Sequence, residues 1–453
     1  MTRFGTAGIR GSVNTEVTPD LALAVGRATA TQARETTTDQ PTVVVGRDGR
    51  TTGSALADAL AAGLQSGGAN VVRLGEVPTP AVAFASRDRR GVMVTASHNP
   101  PTDNGLKLFL DAEEYNRELE ETIDKLVTSE QSPATWDRFG QSQRASVLPD
   151  YRSAVVAYAS QFGADPQDVR VAVDCGTGMA SVATPQVLRE LGTDVVALNA
   201  QVDGHFPARD SKPTAETLTD LRTFVRDGDF TFGIGHDGDA DRIVIVDDEG
   251  EIVHEDTVLA VLAGQYVAAS EAADPVVVTT PNASARIGEH VRAHGGRIER
   301  VRLGALHEGV ATAYAAGEDG TEVVFAAEPW KHVHTRFGSW IDGVASAAVL
   351  ARLVADEGLD ALREPITERP YRKISIPCPE DEKERVMAAV ETALPEAFPE
   401  ASVETEYGVR IEREDASWAL VRPSGTEPYI RLYAEADDVD ALVESVRDVI
   451  DRI

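Results

Sequence analysis

PTVVVGRDGRTTGSALADALAAGLQSGGANVVRLG, residues 41–75, decides the fold. A β-branched run, PTVVVGRD (41–48), gives way to the helix-like SALADALAAGLQ and then to a second β-branched run, ANVVRLG (69–75). Strand, helix, strand is the rhythm of a parallel or mixed sheet. It extends in both directions, with LALAVGRATATQA upstream and GVMVTASH (91–98) downstream. A polar, weakly patterned passage at 128–148, TSEQSPATWDRFGQSQRASVL, reads as a boundary.

Beyond it the rhythm restarts at VRVAVDCGTG (169–178) and again from about residue 255, with VLAVLAGQYVAA, VVVTT, SARIGEHVRAHGG and EVVFAAE. The last 85 residues differ: KISIPCP, VETEYGVRIERED, SWALVRPSG and YIRLYAEA predict a largely antiparallel sheet flanked by two helices. The expected fold class is therefore α/β, with three similar α/β domains carrying mixed sheets and a smaller α+β C-terminal domain. The expected boundaries are 1–140, 150–252, 253–368 and 369–453.

Acidic residues number 74 against 43 basic ones, a formal net charge of −31, and only six of the basic residues are lysines. A surface of that sign repels polyanions, so nucleic acid is not an expected partner. The excess is spread along the chain, and its self-repulsion is tolerable where molar salt shortens the Debye length to about 3 Å. The charge thus reads as adaptation to a salty cytoplasm. Two distant cysteines, Cys175 and Cys378, exclude a disulfide scaffold and a cysteine-based zinc site. The first motif begins at Phe4 and no apolar run approaches 18 residues, so the expected location is cytoplasmic, without a membrane partner.

Three stretches carry chemistry. In HDGDADR (236–242), Asp237, Asp239 and Asp241 alternate with small residues, a spacing that can turn several carboxylates onto one point in an irregular loop. Three carboxylates at one point require a cation. A calcium EF-hand loop would need glycine and glutamate where Arg242 and Asp248 stand, so hard oxygen ligands in small number favour Mg²⁺. In RPSGTEP (422–428), Arg422, the hydroxyls of Ser424 and Thr426 and the amides around Gly425 suit a phosphate group. In GVMVTASHNPPTDNGLKLF (91–109), Ser97 stands at a corner after a buried strand, either a plain turn residue or a presented nucleophile. Ser97 does not lie in a G-x-S-x-G elbow, and no Walker A sequence is present.

FGTAGIRG (4–11), TASHNP (95–100), DGDADR (237–242) and RPSGTEP (422–428), in this order, resemble the alpha-D-phosphohexomutase superfamily along the whole chain. With the charge, the resemblance suggests a haloarchaeal member. It implies four domains around a central cleft and a phosphoryl group carried on Ser97, whose oxygen joins Asp237, Asp239 and Asp241 around Mg²⁺. It further implies an acid or base in Lys107, support from Arg10, His98 and Arg242, and a sugar bisphosphate as activator. The non-reacting phosphate falls to Arg422, Ser424, Gly425, Thr426 and Arg431. The expected partner is a small sugar phosphate and the expected assembly a monomer or homodimer.

The sugar-selecting loop departs from the family's Glu-x-Ser-Gly-His: AEPWKH keeps Glu328 and His332 but has Trp330 and Lys331 in between. Arg302 stands where lysine is frequent. Interconversion of glucose or mannose 1- and 6-phosphates is the first expectation; a glucosamine or pentose phosphate, and a non-catalytic sugar-phosphate binder, are the alternatives.

Overall fold

The computed structural model describes residues 3–5, 8–37, 39–129, 131–424 and 428–453. Residue contacts divide the chain into two compact units, Met1–Glu255 with Trp330–Leu362, and Asp256–Pro329 with Arg363–Ile453.

The first unit holds two sheets. Among the described residues one has seven strands, with Thr42–Arg47 between Asn70–Glu76 and Arg90–Val94, to both of which it runs parallel. Arg90–Val94 is completely buried, which is why it reads as an uninterrupted apolar run rather than an alternating one. Its other neighbour, Asp103–Leu110, is antiparallel, in a register that sets Met93 opposite Lys107. Ile9–Ser12 closes this side of the sheet, with Arg10 opposite Gly105. The helices Pro19–Glu35 and Gly53–Ser66 pack so closely that a Cβ on Gly26 would strike the Leu60 carbonyl and one on Gly63 the Leu23 carbonyl. Only glycine fits there.

The second sheet aligns Phe232–His236, Arg170–Asp174 and Asp194–Leu198 in parallel and adds Ile243–Val246 as an antiparallel edge. The 236–242 segment is therefore the turn of a hairpin. Helix Gly343–Glu357, which follows the third strand-helix rhythm in sequence, packs on helices Leu148–Ala159 and Thr184–Glu190. Its cap is Asp342, whose carboxylate accepts from the Ala345 amide (2.8 Å), Trp340 Nε1 (2.9 Å) and Tyr151 Oη (2.8 Å). Burial pushes this carboxyl up to about 6 despite those bonds. Folding thus binds its proton more tightly than the unfolded chain does. Stability from this group is complete below about pH 4 and falls by about 3 kcal/mol as pH rises through about 6. Denaturant titrations should show wild type losing that increment relative to Asp342→Asn across this window; parallel pH profiles would refute it.

In the second unit, Asp274–Thr279 runs parallel to Arg297–Arg300 and Thr321–Glu328. The C-terminal sheet is antiparallel throughout, in the order Tyr371–Pro377, Tyr429–Glu435, Trp418–Pro423, Val409–Glu412, Ser402–Glu404. Helices Lys383–Ala397 and Val439–Ile450 bury Val390, Leu394, Val446 and their neighbours against it. The fold class is thus the expected one: α/β units with mixed sheets and a C-terminal α+β unit. No helix among the described residues is long and apolar enough to cross a membrane.

Candidate active site

Ser97 leaves the strand Arg90–Val94 in a left-handed conformation, φ 51°, which costs a non-glycine residue about 1–2 kcal/mol. Its surroundings maintain it. The Ser97 N–H donates to Thr95 Oγ1 (2.9 Å), and its carbonyl accepts from Arg50 Nη2 (2.8 Å) and Ser211 Oγ (2.9 Å). The hydroxyl is thereby aimed at the aspartate hairpin, where it donates to Asp237 Oδ2 at 2.7 Å.

The hairpin is clamped at both ends. His236 meets the Arg242 carbonyl through Nδ1 (2.8 Å) and Thr184 Oγ1 through Nε2 (3.0 Å). Bonding to a carbonyl requires Nδ1 to carry the proton, and burial keeps the ring neutral, at about 4. Arg209, paired with Asp174 at 2.8 Å, donates to the His236 carbonyl at 2.6 Å. Thr79 fixes Asp239 by bonds to its Oδ2 (2.5 Å) and its carbonyl (3.0 Å).

Asp237, Asp239 and Asp241 are buried, and one oxygen from each lies within 4.8 Å of the others. Burial first, then mutual repulsion, holds Asp237 and Asp239 above the usual carboxylate range. Burial acts on Asp241 in the same sense, but Lys107 and Arg242 override it and keep this group below that range. Asp239 Oδ1 and Asp241 Oδ1 are buried without a hydrogen-bond partner among the described residues. Three buried carboxylates crowded by like charge, two of them with an oxygen that no hydrogen bond satisfies, fit a divalent cation such as Mg²⁺.

Lys107 Nζ lies 3.1 Å from Asp241 Oδ2 and 3.0 Å from Glu114 Oε1. Burial and the cationic neighbour Arg10 act to lower the lysine, but Glu114, Asp241 and Asp239 outweigh them and raise it above the ordinary lysine range. His98 Nδ1 is 3.4 Å from Ser97 Oγ, and burial, Arg242 and Arg10 lower the ring to about 3, so it is neutral. Arg242 Nε lies 3.7 Å from Asp237 and 3.8 Å from Asp241. Ser97, His98, Lys107, Arg10, Arg242 and the three aspartates thus form one connected constellation.

The sugar-loop residues belong to both units, Trp330 and His332 to the first, Glu328 and Arg302 to the second. His332 is buried, bonded to Ser346 Oγ at 3.0 Å, and lowered by burial to about 3. Trp330 has φ 73°, strained for a bulky residue, and packs half-buried on the apolar cluster of Ala172, Leu218, Leu221 and Val244. In the second unit, Glu328 ends its strand and accepts from the Gly304 amide, whereas Arg302 is ion-paired with Glu308 at 2.6 Å.

At the other phosphate motif, Arg422 and Arg431 face each other across paired strands. Directly opposed like charges are unfavourable without an anion. Arg422 donates to Tyr433 Oη (2.8 Å), and Arg431 bonds Ser375. The Ser424 carbonyl accepts from the buried Lys383 at 2.7 Å. Gly425 and Thr426 lie outside the described residues.

Sequence reasoning missed Thr79, Glu114, Asp48, Arg50 and Ser211. Only Asp48 and Arg50 left a signal: two charges directly after a buried strand in VVVGRDGR.

Comparison with known proteins follows the same lines. Residues 1–134 match the model of "Phosphoglucomutase/phosphomannomutase, alpha/beta/alpha domain I", 149–250 that of domain II, and 374–453 that of the C-terminal domain. A phosphopentomutase of Thermococcus kodakarensis is 39% identical, covering 100% of this chain and 98% of that one. A probable phosphoglucosamine mutase of Methanopyrus kandleri is 38% identical over 99% of this chain and 97% of its own. A crystal structure of a phosphoglucomutase/phosphomannomutase family protein from Burkholderia thailandensis superposes with TM-score 0.86 at 25% identity, covering 100% of this chain and 97% of that chain. The chain belongs to the alpha-D-phosphohexomutase superfamily, a family of phosphosugar mutases of the isomerase class.

Proposed function

We propose that this enzyme interconverts the 1-phosphate and the terminal phosphate of a sugar through a phosphoserine at position 97 and a bisphosphorylated intermediate. The contact of Ser97 Oγ with Asp237, 2.7 Å inside a buried carboxylate triad, carries this reading. Phospho-Ser97 gives its phosphoryl group to one end of the substrate, the bisphosphate reorients, and its other phosphate returns to the serine oxygen. Asp237, Asp239 and Asp241 would hold Mg²⁺, which when bound polarises the transferring phosphoryl group. Lys107, held protonated by Glu114 and Asp241, neutralises charge on the oxygen left at Ser97. Neutral His98 and the cations Arg10 and Arg242 bracket the transferring group. Arg422, Ser424, Gly425, Thr426 and Arg431 hold the phosphate that is not reacting, Glu328 the hydroxyls that survive reorientation, and a sugar bisphosphate primes the serine. The four domains fall at 1–140, 150–252, 253–368 and 369–453.

Within this chemistry we place a pentose phosphate ahead of a hexose phosphate. Trp330, where the family pattern has serine, rests on the Leu218 cluster, so the choice of sugar falls to its neighbour. Lys331, close enough to act on Asp241, adds a cation where the pattern has glycine, which disfavours the ammonium of an amino sugar. The relative at 39% identity bears the pentose name. Glucosamine is the second reading, on the name of the Methanopyrus relative. Side-by-side assays of ribose, glucosamine, glucose and mannose 1-phosphates should give the highest kcat/KM on ribose, about tenfold or more above the hexoses. Preference for glucose, mannose or glucosamine would remove the pentose assignment.

A further inference from the structure

The most completely satisfied buried charge near the site belongs to none of the reacting groups. Arg50 is fully buried. Its Nε donates to Asp48 Oδ2 (3.1 Å), its Nη1 to the carbonyls of Pro100 (2.6 Å) and Asp103 (2.9 Å), and its Nη2 to those of Ser97 (2.8 Å) and Asn99 (2.7 Å). A guanidinium has five N–H donors in a fixed fork, and here each has an acceptor. Four carbonyls of the serine loop thus converge on one cation, much as they would on a metal ion.

The network reaches Ser97 from its other side as well. Asp48 Oδ2 accepts from Thr95 Oγ1 (2.7 Å), and that hydroxyl accepts the Ser97 N–H (2.9 Å). The Asp48 N–H in turn donates to the Val94 carbonyl at 3.0 Å. Both peptide groups of the left-handed Ser97 are therefore pinned by one buried assembly, with the Phe206 ring 5.1 Å from the guanidinium carbon. Ser211 adds the second donor to the Ser97 carbonyl.

We propose that Arg50 is the positioning residue for Ser97: its fork sets the loop so that Oγ meets Asp237 and keeps that aim through both half-reactions. The inference rests on the phosphoserine reading above. Positive charge alone does not suffice. A lysine offers three donors on a flexible stem, so at least two of the five contacts would be lost and the loop would settle elsewhere.

The test compares Arg50→Lys and Ser211→Ala with wild type in kcat, KM and uptake of phosphoryl on Ser97 from a sugar bisphosphate, read by intact mass. All values are taken per folded molecule, counted by calorimetry. Arg50→Lys should lower kcat and phosphoryl uptake about 100-fold with KM within about threefold, the signature of a displaced nucleophile rather than lost substrate binding. Ser211→Ala should lower kcat about fivefold by the same split. Folded Arg50→Lys with kcat within threefold of wild type would overturn the inference, as would a loss that vanishes per folded molecule. Should Arg50→Lys not fold, Ser211→Ala decides: an unchanged kcat counts against the inference, a lowered kcat at constant KM supports it. If Ser97→Ala turns over normally, the phosphoserine reading falls and this inference with it. If wild type carries phosphate and Arg50→Lys matches its rate, only the inference falls.

Discussion

Ser97→Ala will carry no phosphate by intact mass and will lose turnover by about 10⁴-fold or more, because the variant has no oxygen to hold the phosphoryl group between half-reactions. The fold should survive. Alanine fits the volume, and one hydrogen bond to Asp237 is worth about 1 kcal/mol of stability. A low Tm is therefore not the expected cause of inactivity, and calorimetry beside the activity assay separates the two. Normal turnover by Ser97→Ala would refute the mechanism.

Asp239→Asn should divide stability from activity. In the metal-free protein the Asp239 carboxylate is buried beside Asp241, and both burial and that neighbour act against its charge. Asparagine relieves the repulsion and keeps an oxygen for Thr79. Metal-free Asp239→Asn should thus equal or exceed metal-free wild type in stability, by about 1 kcal/mol, on the scale of one relieved charge contact. Added Mg²⁺ should then stabilise wild type by several degrees and the variant hardly at all, because binding to the folded state alone raises Tm. Mg²⁺-dependent turnover should fall at least 100-fold in the variant. An equal Mg²⁺ shift in both proteins would move the cation away from these aspartates.

Much of the fold was legible because its cues are local. The apolar runs VVVG and GVMV, the helix periods between them and the antiparallel C-terminal pattern each predict an element of the observed type. The aspartate loop was legible for the same reason, since its three carboxylates lie within five residues. What sequence concealed was partnership over long separations. Asp241 pairs with Lys107 across 134 positions, and Thr79 reaches Asp239 across 160. Trp330 was legible as a departure but not as a residue that leans on the Leu218 cluster. Periodicity records which face is buried, and nothing in it records which distant side chain will be waiting there.

The register that sets Met93 opposite Lys107 has a consequence for how this enzyme tolerates change. Ser97 lies in the short 95–102 connection between two adjacent strands and Lys107 on the second of them, so together they form one inheritable module. Side chains alternate between the faces of a sheet, so a single inserted or deleted residue that slipped this register would turn Lys107 to the opposite face and shift Ser97 as well. Substitutions here are separable, whereas length changes are not. Variation in chain length should accumulate outside this hairpin, leaving residues 90–110 as a unit that is kept or lost whole.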